Sequence, residues 1–169
     1  MDKYLIFSDL HGDVKALKTL LAHAQEEAIT LFICAGDVGM HRVASLLEPL
    51  PLLLVKGNCD FHYPVPPRYI TVDFYGRLLF ITHGDLISDW TSCPQSLSER
   101  DLFISGHTHK ARLIHPKGGP ICLNPGSLSS PRDSSPPSYA IVSKEKIEVK
   151  SLVDKQVLET LSLTEECQL

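Results

Sequence analysis

The sequence has no apolar run near the roughly 20 residues that a membrane-spanning helix needs. Its opening residues, Met1-Asp2-Lys3, lead directly into strand-like sequence without a cleavable signal. Basic residues are not in excess, since 16 Lys and Arg stand against 20 Asp and Glu, for a formal net charge of -4. This balance argues against a nucleic-acid partner, and the missing apolar run argues against a membrane partner. We therefore expect a cytoplasmic protein.

Paired cysteines are also lacking. The chain has 5 cysteines, an odd number, and no C-x-x-C pair, which argues against a disulfide framework and against a zinc knuckle. We expect reduced thiols at Cys34, Cys59, Cys93, Cys122 and Cys167. The length of 169 residues, 43% of them hydrophobic, suits one domain spanning residues 1–169.

Short apolar runs alternate with helical periodicity in the first half of the chain. Apolar residues at helical spacing predict a helix over residues 14–27 with Asp13 as its N-cap, and a shorter helix follows around residues 43–47. This alternation predicts an α/β fold. After residue 110, Gly- and Pro-rich turns separate short strands and predict an antiparallel meander, and Ser129–Ser138 predicts a surface loop. The expected strands lie at residues 4–7, 31–35, 52–55, 69–74, 78–82, 102–104, 112–115, 120–123, 139–142 and 147–152.

Metal-competent side chains follow five of these strands. Because the carboxyl ends of strands in an open α/β sheet lie along one edge, residues far apart in sequence can converge there. Oxygen and imidazole donors without thiolate suit Mn, Fe, Zn, Ni or Co. Seven donors suffice for two ions, and a shared carboxylate, most naturally Asp37, would offset their repulsion. The donors are Asp9, His11, Asp37, Asn58, His83, His107 and His109.

Ordered motifs connect these donors to a known family. The chain resembles the calcineurin-like metallophosphoesterases, and among them the small bacterial and archaeal phosphodiesterases, over nearly its whole length. The motifs are Asp9-Leu10-His11-Gly12, Gly36-Asp37, Gly57-Asn58-Cys59-Asp60, Thr82-His83-Gly84 and Gly106-His107-Thr108-His109, followed by Asn124-Pro125-Gly126-Ser127 with Pro131-Arg132 downstream.

The resemblance implies a four-layer αββα sandwich with a dinuclear site at the strand ends. It implies one ion held by Asp9, His11, Asp37 and His109, and a second held by Asp37, Asn58, His83 and His107. Mn is the first expectation, with Fe, Ni, Zn or Co as alternatives. Two such ions make bound water acidic enough to attack phosphorus, so no Ser or Cys nucleophile is required. We expect a small phosphodiester as substrate and Asp37, Asn58 and His107 as catalytic residues, and a homo-oligomer is one option for the assembly.

Two departures from relatives bear on the substrate. Cys59 stands where the larger phosphoprotein phosphatases have a histidine that helps the leaving oxygen depart, which favours small diesters with a good leaving group. Asp85 stands where many relatives have the second histidine of His-Gly-His, and it adds a negative charge near the site. Candidate proton donors are His41, His62 and His115, and Arg132 is a candidate phosphate clamp.

Other interpretations compete with the metal site. Taken alone, Asp9 and His11 are typical of a turn before a helix, and Asn58 of a left-handed turn. The alternatives at the level of function are a phosphomonoesterase or protein phosphatase of the same fold, and a non-catalytic scaffold like a eukaryotic trafficking subunit of this fold. The scaffold does not require all seven donors, so their presence favours an enzyme.

Overall fold

A computed structural model describes residues 1–62 and 64–164 of the chain, which form two β-sheets packed face to face. In chain order the elements are β1 (Tyr4–Phe7), α1 (Val14–Glu26), β2 (Leu31–Cys34), α2 (Met40–Leu47), β3 (Leu52–Leu54), β4 (Tyr69–Phe74), β5 (Arg77–Thr82), a 3-10 helix (Trp90–Ser92), β6 (Leu102–Ile104), β7 (Ala111–Ile114), β8 (Ile121–Pro125), β9 (Ser138–Val142), β10 (Lys146–Ser151) and β11 (Val157–Ser162). Cys167 and the other residues after Thr164 lie outside the described part.

The first sheet has the order β11-β10-β9-β1-β2-β3, and the second has the order β4-β5-β6-β8-β7. Strands β1, β2 and β3 are parallel to one another, as are β5, β6 and β8. The carboxyl ends of β1, β2 and β3 therefore share one edge of the first sheet, and those of β5, β6 and β8 share one edge of the second.

Two apolar layers hold these elements together. Between the sheets, Ile6 and Ile33 of the first sheet join the core that contains Ile81 and Ile104 of the second. On the outer face of the first sheet, the buried side of α1, including Leu17, packs with the alternate strand residues. The Asp13 carboxylate accepts a hydrogen bond from the Ala16 amide at 2.9 Å, which confirms Asp13 as the N-cap of α1.

The α/β sandwich is confirmed, and the structure adds detail to its layers. On the outer face of the second sheet, residues 88–90 line a cavity together with Phe103 and Cys122, and the one helical element described between β5 and β6 is the 3-10 helix Trp90–Ser92. The predicted antiparallel pairing is confirmed for β7 with β8 and for β9 with β10, but the four strands do not form one meander, because β8 also lies parallel to β6 and β9 belongs to the other sheet. Strand β11 was not predicted, because it is a largely exposed edge strand with mixed polar and apolar residues.

Two further expectations concern cysteine and membranes. Cys34, Cys59, Cys93 and Cys122 are free thiols, as expected. Within the described residues, none of the helices has the length and apolar character that crossing a bilayer requires.

The end of α1 is attached to the first sheet through Glu27. Its carboxylate accepts hydrogen bonds from Lys150 of β10 at 2.6 Å and from Lys3, just before β1, at 3.0 Å. The bond from Lys150, with a smaller contribution from Lys3, lowers the pKa of Glu27 despite the opposing effect of burial. The folded state therefore favours ionised Glu27.

A Glu27→Gln variant should lose about 1 kcal/mol of stability at pH 7. Because the folded-state pKa is lowered, the difference from the parent should be full above pH 5 to 6, shrink as the pH falls through about 4.5, and vanish below the folded-state pKa. Urea unfolding of both proteins at several pH values measures this difference in the free energy of unfolding. Glu26→Gln, which removes the exposed partner of Lys155, is the matched control with a smaller effect. A pH-independent difference would contradict the assignment.

Candidate metal centre

All seven predicted donors lie at one edge of the sandwich. Asp9 and His11 follow β1, Asp37 follows β2, Asn58 follows β3, His83 follows β5, and His107 and His109 follow β6. Five of them line a cavity of about 570 Å³, and the remaining two, Asp9 and His83, are fully buried beside it. Strands from both sheets therefore contribute donors to one site.

The first group of donors is formed by Asp9, His11 and His109. The Nε2 atoms of His11 and His109 are 3.5 Å apart, and the Asp9 Oδ1 atom lies 3.1 Å from His109 Nε2 and 3.9 Å from His11 Nε2. One donor atom from each residue thus faces a common space, with the ligand atoms all within 4.8 Å of one another.

The second group surrounds Asn58. Its Oδ1 atom lies 3.0 Å from His83 Nε2 and 3.1 Å from His107 Nδ1. Asp37 lies between the two groups, because its Oδ2 atom is 3.4 Å from His83 Nε2 and 4.0 Å from His11 Nε2. The shared position expected for Asp37 is therefore the position that the structure gives it.

Backbone carbonyls set the orientation of two of the imidazoles. His83 Nδ1 lies 2.7 Å from the Ala35 carbonyl oxygen, and His109 Nδ1 lies 2.7 Å from the Ser130 carbonyl oxygen. Because a carbonyl only accepts hydrogen bonds, we assign the N–H to Nδ1 in both rings. Each Nε2 then turns a lone pair toward the other donors, as a metal ligand requires.

The surroundings of the buried Asp9 Oδ1 atom indicate whether this site suits a cation. It has no hydrogen-bond partner among the described residues, although His109 Nε2 is 3.1 Å away. With the tautomer assigned above, two lone pairs face each other there, which is unfavourable unless a positive charge lies between them. Asp37 and His83 are also almost fully buried nearby. The oxygen and nitrogen donors therefore fit divalent metal ions.

The site also shifts the pKa values of its own residues. Burial raises the pKa of Asp37, but His83, which donates from Nε2 when its ring is protonated, and the Cys59 amide outweigh it and lower that pKa to about 2. Burial lowers the pKa of His83, but the contacts with Asp37 and with the Ala35 carbonyl give a net rise. Asp37 is therefore ionised at neutral pH.

Five of the seven donors have left-handed backbone conformations. Asp9, His11, Asp37, His107 and His109 have φ values between 47° and 66°. Such conformations are uncommon in residues other than glycine and are retained where the surroundings enforce them. Here the loops bond to one another: the amide of Asp9 donates to the Gly36 carbonyl at 3.1 Å, and that of His11 donates to the Asp37 carbonyl at 2.9 Å.

Two glycines allow these loops to approach one another. A Cβ atom at Gly57 would collide with the backbone amide and carboxylate of Asp37, and one at Gly106 would collide with the Ser8 hydroxyl and lie 2.9 Å from Asp9 Oδ2. These positions support the interpretation of the motif glycines as sites of close backbone approach.

Asp60 organises the site, although the sequence analysis gave it no role. Its buried carboxylate accepts hydrogen bonds from the amides of Asp37 at 2.8 Å, Val38 at 3.0 Å, Gly57 at 2.9 Å and Gly39 at 3.4 Å. It thereby ties the loop after β2 to the loop after β3. The sequence feature that could have indicated this role is the acidic residue at the end of the Gly57–Asp60 motif.

The segment expected to be a surface loop also supports the donors. The hydroxyls of Ser127 and Ser129 donate to the Asp9 carbonyl at 2.8 and 2.9 Å. Asn124 donates to the Gly106 carbonyl at 2.8 Å. Although residues 130–134 are mostly exposed, the loop fixes His109 through the Ser130 carbonyl.

The other residues that the sequence suggested for this site differ in whether they line the cavity that contains the donors. Arg132 lines the cavity that the donors line, and so does Cys59, whose pKa is raised by burial and by the charge of Asp37. Asp85 and the three candidate proton donors are absent from the described lining of that cavity. His115 instead bonds to the Glu99 carbonyl at 3.0 Å. Thus none of His41, His62 and His115 lines the cavity that contains the donors.

Comparisons with known proteins agree with this geometry. Residues 3–146 match the family model of the calcineurin-like phosphoesterase superfamily domain. The chain is 26% identical to phosphodiesterase YfcE of Escherichia coli over an alignment of 185 residues, which covers 96% of this chain and 99% of the relative. It is 33% identical to the probable metallophosphoesterase YsnB of Bacillus subtilis over 146 residues, with 83% of each chain covered.

Solved structures show the same fold. The chain superposes on YfcE, a phosphoesterase from E. coli, with a TM-score of 0.83 at 23% identity, covering 96% of this chain and 100% of the other. It superposes on Vps29 of Entamoeba histolytica, in a complex with zinc, with a TM-score of 0.75 at 22% identity, covering 96% and 99%.

An Asp60→Ala variant should lose about 2–4 kcal/mol of stability, because several buried amides lose their acceptor. Since one of those amides is that of Asp37, the variant should also bind Mn²⁺ about 10- to 100-fold more weakly. Urea unfolding and calorimetric titration with Mn²⁺ measure the two effects.

The matched control is Asp101→Ala. Asp101 also accepts backbone amides, those of Leu78 at 2.9 Å and Ser98 at 2.6 Å, but it precedes β6 and so lies at the opposite end of that strand from the donors. This variant should lose stability and keep its Mn²⁺ affinity. Equal Mn²⁺ binding by the two variants would contradict a positioning role for Asp60.

Proposed function

Because the chain belongs to the calcineurin-like phosphoesterase superfamily, we propose that it is a metal-dependent phosphodiesterase that hydrolyses small phosphodiesters. The convergence of seven oxygen and nitrogen donors from both sheets at one edge of the sandwich, five of them lining one cavity, is the observation that carries this proposal. The likeness to a relative named as a phosphodiesterase supports the diester specificity. We also propose that residues 1–169 form one domain, since both sheets contribute to one core.

The proposed ligands fall into two sets that share Asp37. Asp9, His11, Asp37 and His109 would hold one divalent ion, and Asp37, Asn58, His83 and His107 would hold the other, with Mn²⁺ as the first expectation. Divalent ions in such a site lower the pKa of bound water and stabilise negative charge on phosphoryl oxygens.

The protein's own contribution is orientation and charge. Asp37 is the shared carboxylate, and its ionised state is secured by His83 and by the Cys59 amide. Asn58 and His107, 3.1 Å apart at the cavity wall, are the proposed catalytic residues that position the phosphoryl group. Arg132 offers a cation to the phosphate from the opposite loop.

The surroundings of Cys59 support a substrate with a good leaving group. Burial and the charge of Asp37 raise the pKa of this thiol, which makes it a weak proton donor. The histidines considered as donors lie away from the described lining of the cavity. An alcohol that departs without a strong protein acid, such as a phenol, should therefore be the easiest to release.

The purified protein should hydrolyse bis-p-nitrophenyl phosphate with added Mn²⁺, lose that activity in excess chelator and regain it when Mn²⁺ is restored. Asp37→Asn and Asn58→Ala should each lower kcat/KM more than about 100-fold, beyond the range for partners that only support ligands. The exposed Asp73→Asn variant is the control and should retain full activity.

Three outcomes would contradict the proposal. Activity that persists after complete demetallation, checked by elemental analysis, would exclude the metal-dependent reaction. Faster turnover of p-nitrophenyl phosphate than of the diester in a parallel assay would favour a phosphomonoesterase. Mn²⁺ binding without hydrolysis of either ester would favour the scaffold alternative.

A further inference from the structure

A second cavity adjoins the metal centre on the outer face of the second sheet. It has a volume of about 510 Å³, and we call it the Trp90 cavity; its walls include Trp90, Phe103, Thr108, Lys110, Arg112 and Cys122. Thr108 and Lys110 also line the cavity that contains the donors. The two cavities therefore have Thr108 and Lys110 as common lining residues, which places the Trp90 cavity next to the donors.

The apolar walls are held in place by the protein. Phe103 is 3% exposed and its ring stacks on that of Phe80, with centroids 6.1 Å apart. Trp90 begins the 3-10 helix, whose N-cap Asp89 accepts the Thr91 amide at 2.8 Å. The indole lies so close to Gly119 that a Cβ there would be 2.7 Å from its Cζ2 atom. The ring is thus positioned before any ligand arrives, which lowers the entropy cost of binding.

Charged side chains of both signs line the same cavity, since Arg112 and Lys110 are cations and Asp89 and Asp133 are carboxylates. Arg112 is exposed and makes no ion pair within residues 1–62 and 64–164, whereas Lys110 pairs with Asp133 at 2.8 Å on the rim. A volume near 500 Å³ with mainly apolar walls and a few polar groups is typical of small-molecule sites. The Trp90 indole and the Arg112 guanidinium line the same cavity, where an indole offers stacking and a guanidinium offers hydrogen bonds to a planar ring.

We propose that the Trp90 cavity binds an aromatic, nucleobase-like group on one esterifying alcohol of the substrate, while the phosphate lies at the donors. This inference rests on the proposed phosphodiesterase function and specifies its substrate class as nucleotidyl diesters in preference to glycerol-type diesters. Because the cavity shares lining residues with the reaction site, a small substrate fits it better than a segment of a partner protein.

Trp90 is the single tryptophan of the chain, so its fluorescence reports on the cavity directly. Thymidine 5′-monophosphate titrated into the metal-free protein should change the emission saturably, and ribose 5-phosphate, which lacks the base, should not. Arg112→Ala should weaken the effect several-fold. Tyr75→Ala, which removes an exposed aromatic residue outside the cavity lining, is the control and should leave it unchanged.

The second measurement compares the kcat/KM values of two substrates. The p-nitrophenyl ester of thymidine 5′-monophosphate and methyl p-nitrophenyl phosphate share a leaving group and differ in the retained alcohol. The parent protein with Mn²⁺ should prefer the thymidine ester, and Trp90→Ala should reduce that preference in kcat/KM about 10-fold, as expected for loss of one base–aromatic stack. Tyr75→Ala should keep the preference.

The outcomes separate the two proposals. Equal hydrolysis of both esters, together with unchanged Trp90 emission, would overturn the cavity assignment and leave the phosphodiesterase function intact. An emission change without hydrolysis of either ester would support the aromatic site and overturn the proposed function. Equal emission changes with thymidine 5′-monophosphate and ribose 5-phosphate would overturn recognition of the base.

Discussion

Two carboxylates, those of Asp9 and Asp37, lie almost fully buried at one edge of the packed sheets, and the rest of the site depends on this constraint. A buried carboxylate is costly unless positive charge or hydrogen-bond donors face it. Asp37 is satisfied in part by the Cys59 amide at 2.8 Å, whereas the Asp9 Oδ1 atom has no hydrogen-bond donor among the described residues. The nearby imidazoles direct lone pairs into the same space, so these groups are stabilised when cations bind between them.

Holding these groups together has a conformational cost. Left-handed backbone at a residue other than glycine costs on the order of 1 kcal/mol, and five donors have it. The cost is offset by bonds that cross between loops, chiefly those of Asp60 and of the serines that donate to the Asp9 carbonyl. These supporting groups act on the backbone of the donors. Stability and metal affinity are therefore coupled in this protein, because the same hydrogen bonds serve both.

The donors could be predicted from sequence because each one directly follows an apolar strand, and parallel strand ends converge whatever the details of the fold. The hydrogen bonds that hold the donors in place could not be predicted in the same way. Asp60 acts on amides more than 20 residues away, and the loop around Ser130 reaches His109 across 21 residues. The place of β8 beside β6 is likewise a matter of long-range pairing, which local periodicity does not encode.

The Trp90 cavity connects the architecture to substrate choice. Where an α-helix would pack on the outer face of the second sheet, its side chains would fill the space beside Phe103 and Cys122. The segment between β5 and β6 has one 3-10 helix there, and its Trp90 indole lines a cavity together with Phe103 and Cys122. The edge of the sandwich can then supply the reaction chemistry while the outer face of one sheet supplies specificity. Changes in this segment can alter the group that is recognised without moving any of the seven donors.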